Sequence, residues 1–158
     1  MTELFTIGYE RAAFDAVIDV LQGAEVDAVI DVRAVPHSRR REFARKHLQA
    51  NFPAYGIDYE AWSVLGTPEA GRSAAKQGDL EGFARIFEAH LASAEVEAAL
   101  AQLTERLQTQ RCCLMCYERD PQQCHRTLIG ERLKERVDDL VVVDLDPQRA
   151  SNSAARPS

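Results

Sequence analysis

The sequence predicts an α/β fold, a single compact domain in which a mostly parallel sheet is flanked by helices. Two short runs, Val26 to Val32 and Cys112 to Cys116, are apolar almost throughout rather than alternating, the pattern of strands buried on both faces. Between such runs lie stretches with apolar residues at helical spacing, such as Phe14, Val17, Ile18 and Leu21. The connections are short, so strand, helix and strand form βαβ units and their strands run parallel. Together these features describe a Rossmann-like three-layer arrangement.

Each element follows in order. Leu4 to Gly8 reads as the first strand, ended by glycine, and Ala12 to Gln22 as a helix stopped by Gly23. Val26 to Val32 is the second strand. Pro36 disfavours helix before it, so Ala34 to Ser38 is a loop, followed by a basic helix from Arg39 to Ala50. Pro53 and Gly56 close that region, and Ile57 to Tyr59 is a short strand. Leu65 to Gly78 is rich in Gly, Pro, Ser and Thr and is expected to be an irregular flap. Phe83, Phe87 and Leu91 mark a helix over 80–91, and Val96, Leu100, Leu103 and Leu107 mark another over 94–108. Cys112 to Cys116 is a strand, Tyr117 to Gln123 a polar loop, Cys124 to Val137 a helix, and Leu140 to Asp144 the last strand. The domain is expected to span 1–146, with a disordered polar tail over 147–158.

Composition narrows the class. The chain has 158 residues, 46% apolar and 28% charged, as a globular protein does. It opens on Met-Thr-Glu-Leu without a basic and apolar leader, and no run approaches the roughly 20 apolar residues of a membrane span. A soluble, cytoplasmic protein without a membrane partner is expected. All four cysteines lie between Cys112 and Cys124, too close together to staple a secreted scaffold, which favours a reducing compartment. A net charge of −6 argues against broad duplex binding, yet Arg33 to His47 carries a local excess of Arg, Lys and His against Glu42 alone. That stretch is either a positive patch or a solvated helix face.

In a parallel sheet, ligands bind where strand carboxyl ends lead into loops. Three such ends are visible: Gly8-Tyr9, Arg33 to Ser38, and Cys116 to Arg126. They gather two thiols, a carboxylate, imidazoles and guanidiniums on one rim. Cys124 is expected at a helix N-terminus, where unpaired amides, His125 and Arg126 would favour its thiolate or bind an anion. Cys116 is the other candidate nucleophile, with Glu118 or His125 as proton acceptor. The same residues leave further readings open. Cys116, Cys124 and His125 can ligate a metal such as zinc, or Cys116 and Cys124 can form a regulatory disulfide. No cofactor is otherwise predicted. Arg33 is either an anion ligand held by Asp31 or half of a structural ion pair. Tyr9 and Ser38 are weaker candidates for hydrogen bonds to the same ligand, and Gly8 marks the turn beside them. Cys112, Cys113, Trp62 and His90 are expected to be structural.

The segments TIGYE (6–10), IDVRAVPHSRR (30–40), YGIDYE with Leu65-Gly66, and CYERDPQQCHR (116–126) resemble the bacterial family called domain of unknown function 488. The resemblance runs over 4–145, and its most specific part is the CxE…CHR pattern. It implies a compact α/β fold with a parallel sheet and carries no established reaction. Its motif positions here are Gly8, Asp31, Arg33, Pro36, Ser38, Leu65, Gly66, Cys116, Glu118, Cys124, His125 and Arg126. This chain departs from the pattern after Ser38, where Arg39, Arg40 and Arg41 follow. The layout is also similar to rhodaneses and cysteine phosphatases, but Arg126 lies farther from Cys116 than their anion-binding arginine does, so only layout carries over.

Three functions are therefore expected, in this order. The first is a cysteine-dependent transferase or hydrolase acting on a phosphate-bearing nucleotide or nucleic-acid end. The second is a non-catalytic anion- or nucleic-acid-binding module whose cysteines are structural or redox-sensing. The third is a metal-dependent hydrolase.

Overall fold

A computed structural model describes residues 1–121 and 124–148. In chain order its elements are β1 (Thr2–Gly8), α1 (Phe14–Gly23), β2 (Ala28–Asp31), α2 (Arg45–Asn51), β3 (Asp58–Ala61), α3 (Glu69–Lys76), α4 (Leu80–Leu91), α5 (Ala94–Arg106), β4 (Cys112–Cys116), α6 (His125–Lys134) and β5 (Leu140–Leu145). The strands form one sheet in the order β3-β2-β4-β1-β5, and every neighbouring pair is parallel. This is the predicted α/β class.

Alternation along the strands splits the core into two layers, because successive side chains leave a strand on opposite faces. Leu4, Ile30, Leu114 and Cys116 meet Phe87, Leu91, Leu100, Leu103, Ile129 and Leu133 from α4, α5 and α6. Phe5, Ile7, Val29, Cys113 and Met115 meet Val17, Ile18 and Leu21 of α1, together with Phe43, Leu48 and Phe52. Cys112 and Cys113 are fully buried on opposite faces. The chain thus leaves β1 toward one face and β4 toward the other, although these two strands are neighbours. That divergence opens a crevice above their carboxyl ends.

Two expectations are corrected. The basic helix expected from Arg39 to Ala50 is broken into a 3-10 turn (Arg41–Phe43) and α2. Ala44 between them is extended, at φ −72° and ψ 148°. The break lets Phe43 drop into the core, where its ring stacks on Tyr9 with centroids 4.4 Å apart. The irregular flap expected from Leu65 to Gly78 contains α3, which packs on α4. Its only buried residues are Gly71 and Ala74, so it has no large apolar side chains to produce a periodic signal. Elsewhere the boundaries differ from expectation by a few residues at most. The tail expected to be disordered falls largely on 149–158, outside the described residues. Among the described residues no helix is long and apolar enough to cross a membrane.

Candidate functional site

The site begins where β1 and β4 end side by side, with Gly8 paired to Cys116. Beyond that pair the two chains stay in contact, the Tyr9 amide donating to the Cys116 carbonyl (3.3 Å) and the Glu10 amide to the Tyr117 carbonyl (2.8 Å). The loop after β4 then folds back over Gly8 so closely that a Cβ there would lie 1.7 Å from the Glu118 carbonyl oxygen. Glycine at position 8 is therefore a requirement of close approach. It packs against the loop and does not line the cleft.

Arg126 holds the other side of this loop. Its side chain, in the first turn of α6, is fully buried. It donates to Thr6 Oγ1 (3.2 Å), to Cys116 Sγ (2.9 Å), and to the carbonyls of Glu118 and Arg119. Burial lowers its pKa below the ordinary arginine value. Arg126, expected among the anion ligands, has no exposed surface here and does not line the cleft; its guanidinium fixes the Cys116 sulfur and the loop backbone.

Cys124 is the N-cap residue of α6, at the helix N-terminus as expected. Its sulfur and that of Cys116 are joined as a disulfide. Beside them His125 is buried, with Nε2 2.7 Å from the Val32 carbonyl. A carbonyl only accepts, so Nε2 carries the hydrogen and donates. Nδ1 then faces Cys124 Sγ at 3.7 Å. Burial pushes the imidazole pKa down to about 4, leaving the ring neutral at pH 7. Glu118 lies with Oε2 3.7 Å from Cys116 Sγ, and burial raises its pKa above the ordinary carboxyl range.

The third strand end contributes Arg33. Asp31, fully buried, grips it through Nε and Nη2, with the closest approach 2.6 Å. The Tyr9 hydroxyl accepts from Nη1 at 3.0 Å, and the Tyr59 hydroxyl donates to the same Asp31 carboxylate. Burial opposes the charge on Arg33, but the hydrogen bonds and charge of Asp31 outweigh it and raise its pKa. The ion pair with Asp31 exists, and Arg33 also lines the cleft. Next to it, Gly66 comes so close to the loop after β2 that a Cβ would sit 2.2 Å from the Ala34 nitrogen. Ser38 Oγ accepts from the Arg40 amide (3.1 Å) and so shapes that loop.

These parts enclose an open cleft of about 550 Å³. Tyr9, Arg33, Ser38, Cys116, Glu118 and His125 all line it, as do Arg39, Arg40 and His37 from the basic stretch. Gly8, Cys124 and Arg126 do not line it. Two lining residues went unsuspected in the sequence, Thr67 and Arg72. Both fall in the segment that read as an irregular flap, where nothing marked a helix facing the rim. Trp62 packs against the core with its indole N–H on Glu60 (3.2 Å), and His90 Nε2 is bound to the Val64 carbonyl (2.7 Å).

Cys116, Cys124 and His125 also bring three ligand atoms within 4.8 Å of one another. In a reduced protein this set could hold a soft divalent cation, with the His125 Nε2 bond to Val32 fixing the ring as metal-ligating histidines usually require. As a disulfide the pair has no thiolates to offer.

A comparison with protein families matches the chain to the model described as domain of unknown function DUF488, over residues 13–133. The chain belongs to the DUF488 family. The match is narrower than the 4–145 of the sequence resemblance, and it covers α1 through most of α6. Arg33, Ser38, Cys116, Glu118, Cys124, His125 and Arg126 lie inside the DUF488 region, whereas Gly8, Tyr9 and β5 lie outside it. No curated protein and no solved structure matches the chain.

Proposed function

We propose that this DUF488 protein is a cysteine-dependent transferase or hydrolase acting on a phosphate-bearing substrate, with Cys116 as nucleophile. The observation that carries the reading is the position of Cys116 Sγ. It lies 2.9 Å from the buried Arg126 guanidinium and lines a cleft rich in arginine. A fixed cation at hydrogen-bonding distance stabilises a thiolate, and arginines above it attract an anion.

The geometry supports the following roles. Arg33 binds the anionic group, braced by Asp31 and Tyr9. The Cys116 thiolate attacks the electrophilic atom, so that a sulfur bond forms as the bond to the leaving group breaks. The leaving group takes the proton of Glu118, whose raised pKa keeps its carboxyl protonated to higher pH than usual. Water or a second acceptor then displaces the enzyme sulfur and returns a proton to Glu118. Arg126 is a positioning residue, acting through the sulfur. Cys124, with His125 Nδ1 as proton acceptor, is the partner thiol. The working form is reduced, since a disulfide sulfur is no nucleophile, and a cellular dithiol would supply the two electrons that open the bond.

The test is alkylation of the reduced protein against pH, read at each cysteine by mass spectrometry. Cys116 titrating well below the free value of about 8.5, with protection by inorganic phosphate, is the expected result. An unreactive Cys116 across that range sinks the nucleophile role.

The disulfide favours a second reading, a non-catalytic anion or nucleic-acid module with redox-sensing cysteines. It requires binding of a 5′-phosphorylated oligonucleotide that weakens steeply with salt, and unchanged binding by Cys116→Ser. Elemental analysis of reduced, untagged protein addresses the metal-dependent hydrolase, which requires about one bound cation per chain.

A further inference from the structure

Behind the arginine cleft lies a second cavity of about 800 Å³, bounded by α3, α4 and the first turn of α6. Thr67, Arg72, Glu118 and His125 line both spaces, so these four residues form a shared wall where the two meet. The linings differ in chemistry. The first space carries Arg33, Arg39 and Arg40, whereas the second is walled mainly by Leu80, Phe83, Ala84 and Leu128, with Lys76 its one cation among the described residues besides the shared Arg72. Leu80 is 73% exposed in the first turn of α4 and is packed into neither core layer. A large apolar side chain left at the edge of a cavity is a surface that a ligand can cover.

We propose that the two cavities are halves of one substrate site. The substrate is then an organic phosphate whose organic part is an apolar ring. The phosphate meets Arg33 and its neighbours, and the ring lies against Leu80, Phe83 and Leu128. Cys116, at the floor of the first space, and Glu118, on the shared wall, then flank the ester bond between the two parts. This inference rests on the reading of the cleft as a phosphate site and adds the chemical class of the group attached.

Isothermal titration calorimetry on the reduced full chain tests it, with inorganic phosphate and phenyl phosphate as probes. Phenyl phosphate should bind at least about tenfold more tightly than phosphate, equivalent to about 1.4 kcal/mol. Leu80→Glu, a change at an exposed position, should abolish that difference. In the wild type, amide NMR signals of Phe83 and Leu128 should shift with phenyl phosphate and not with phosphate. Equal affinities, or a difference that survives in Leu80→Glu, would overturn the second subsite and leave the phosphate cleft standing. Absence of binding by both probes would overturn the cleft and this inference together.

Discussion

At the scale of single residues, Gly8 and His125 show how tightly the site is built. An added methyl at Gly8 has no room, because the Glu118 carbonyl occupies its place. Gly8→Ala should therefore displace the loop after β4 and cost roughly 3 kcal/mol in urea unfolding. Gly23→Ala, where a Cβ meets nothing within 4 Å, should be near neutral in the same measurement. His125 makes stability depend on pH. Its pKa falls from an ordinary 6.5 to about 4 on burial, so the unfolded chain binds the proton more readily. Its contribution is present in full above about pH 6.5 and is lost as pH falls toward 4. Between pH 7 and 4.5 the wild type should lose roughly 2 kcal/mol that His125→Gln does not lose. Urea midpoints at the two pH values check this. Glu118, with a raised pKa, pushes the other way, since its folded form favours the proton. The difference between wild type and variant isolates the histidine.

At the scale of elements, α6 and the loop before it act as one unit through Arg126. The helix delivers a buried guanidinium to two loop carbonyls and to the Cys116 sulfur. Arg126→Met, of similar length, would take the donor away from both carbonyls and from the sulfur, at a cost of about 3 kcal/mol. It should also slow Cys116 alkylation at pH 7, by removing the charge that favours the thiolate. A merely structural arginine would lower the denaturation midpoint without changing the pH profile of the sulfur. Cys124 at the head of α6 was legible in the sequence, because a helix start after Pro121 follows from local rules. The break at Ala44 was not. It depends on Phe43 finding a stacking partner in Tyr9, a residue distant in sequence. Likewise α3 carries no large buried side chain of its own, so no local signal placed Arg72 on the rim.

At the scale of the whole molecule, the sheet order places three strand ends on one rim and keeps two cysteines away from it. Burial pushes the Cys112 thiol up to about 11 and raises Cys113 as well. Both should label at least about a hundredfold more slowly than Cys116 and Cys124 in the reduced folded protein, and at comparable rates in denaturant. Peptide mapping after timed alkylation measures this. Fast labelling of Cys113 under native conditions would contradict the packing of β4 between its two neighbours.

The sequence by itself determined the α/β class, most of the strands and helices, and the residues that crowd the strand ends. Those properties rest on period, run length and turn chemistry, which act over a few residues and are readable along the chain. Only the tertiary structure decided which of these residues meet the cleft. Burial and hydrogen-bond partners come from segments far apart in sequence. Thr6, Cys116 and two loop carbonyls enclose Arg126, and Asp31 with Tyr9 holds Arg33 at the cleft wall. Two arginines of the same motif set thus have different surroundings: one is fully enclosed by the fold and the other, though largely buried, lines the cleft.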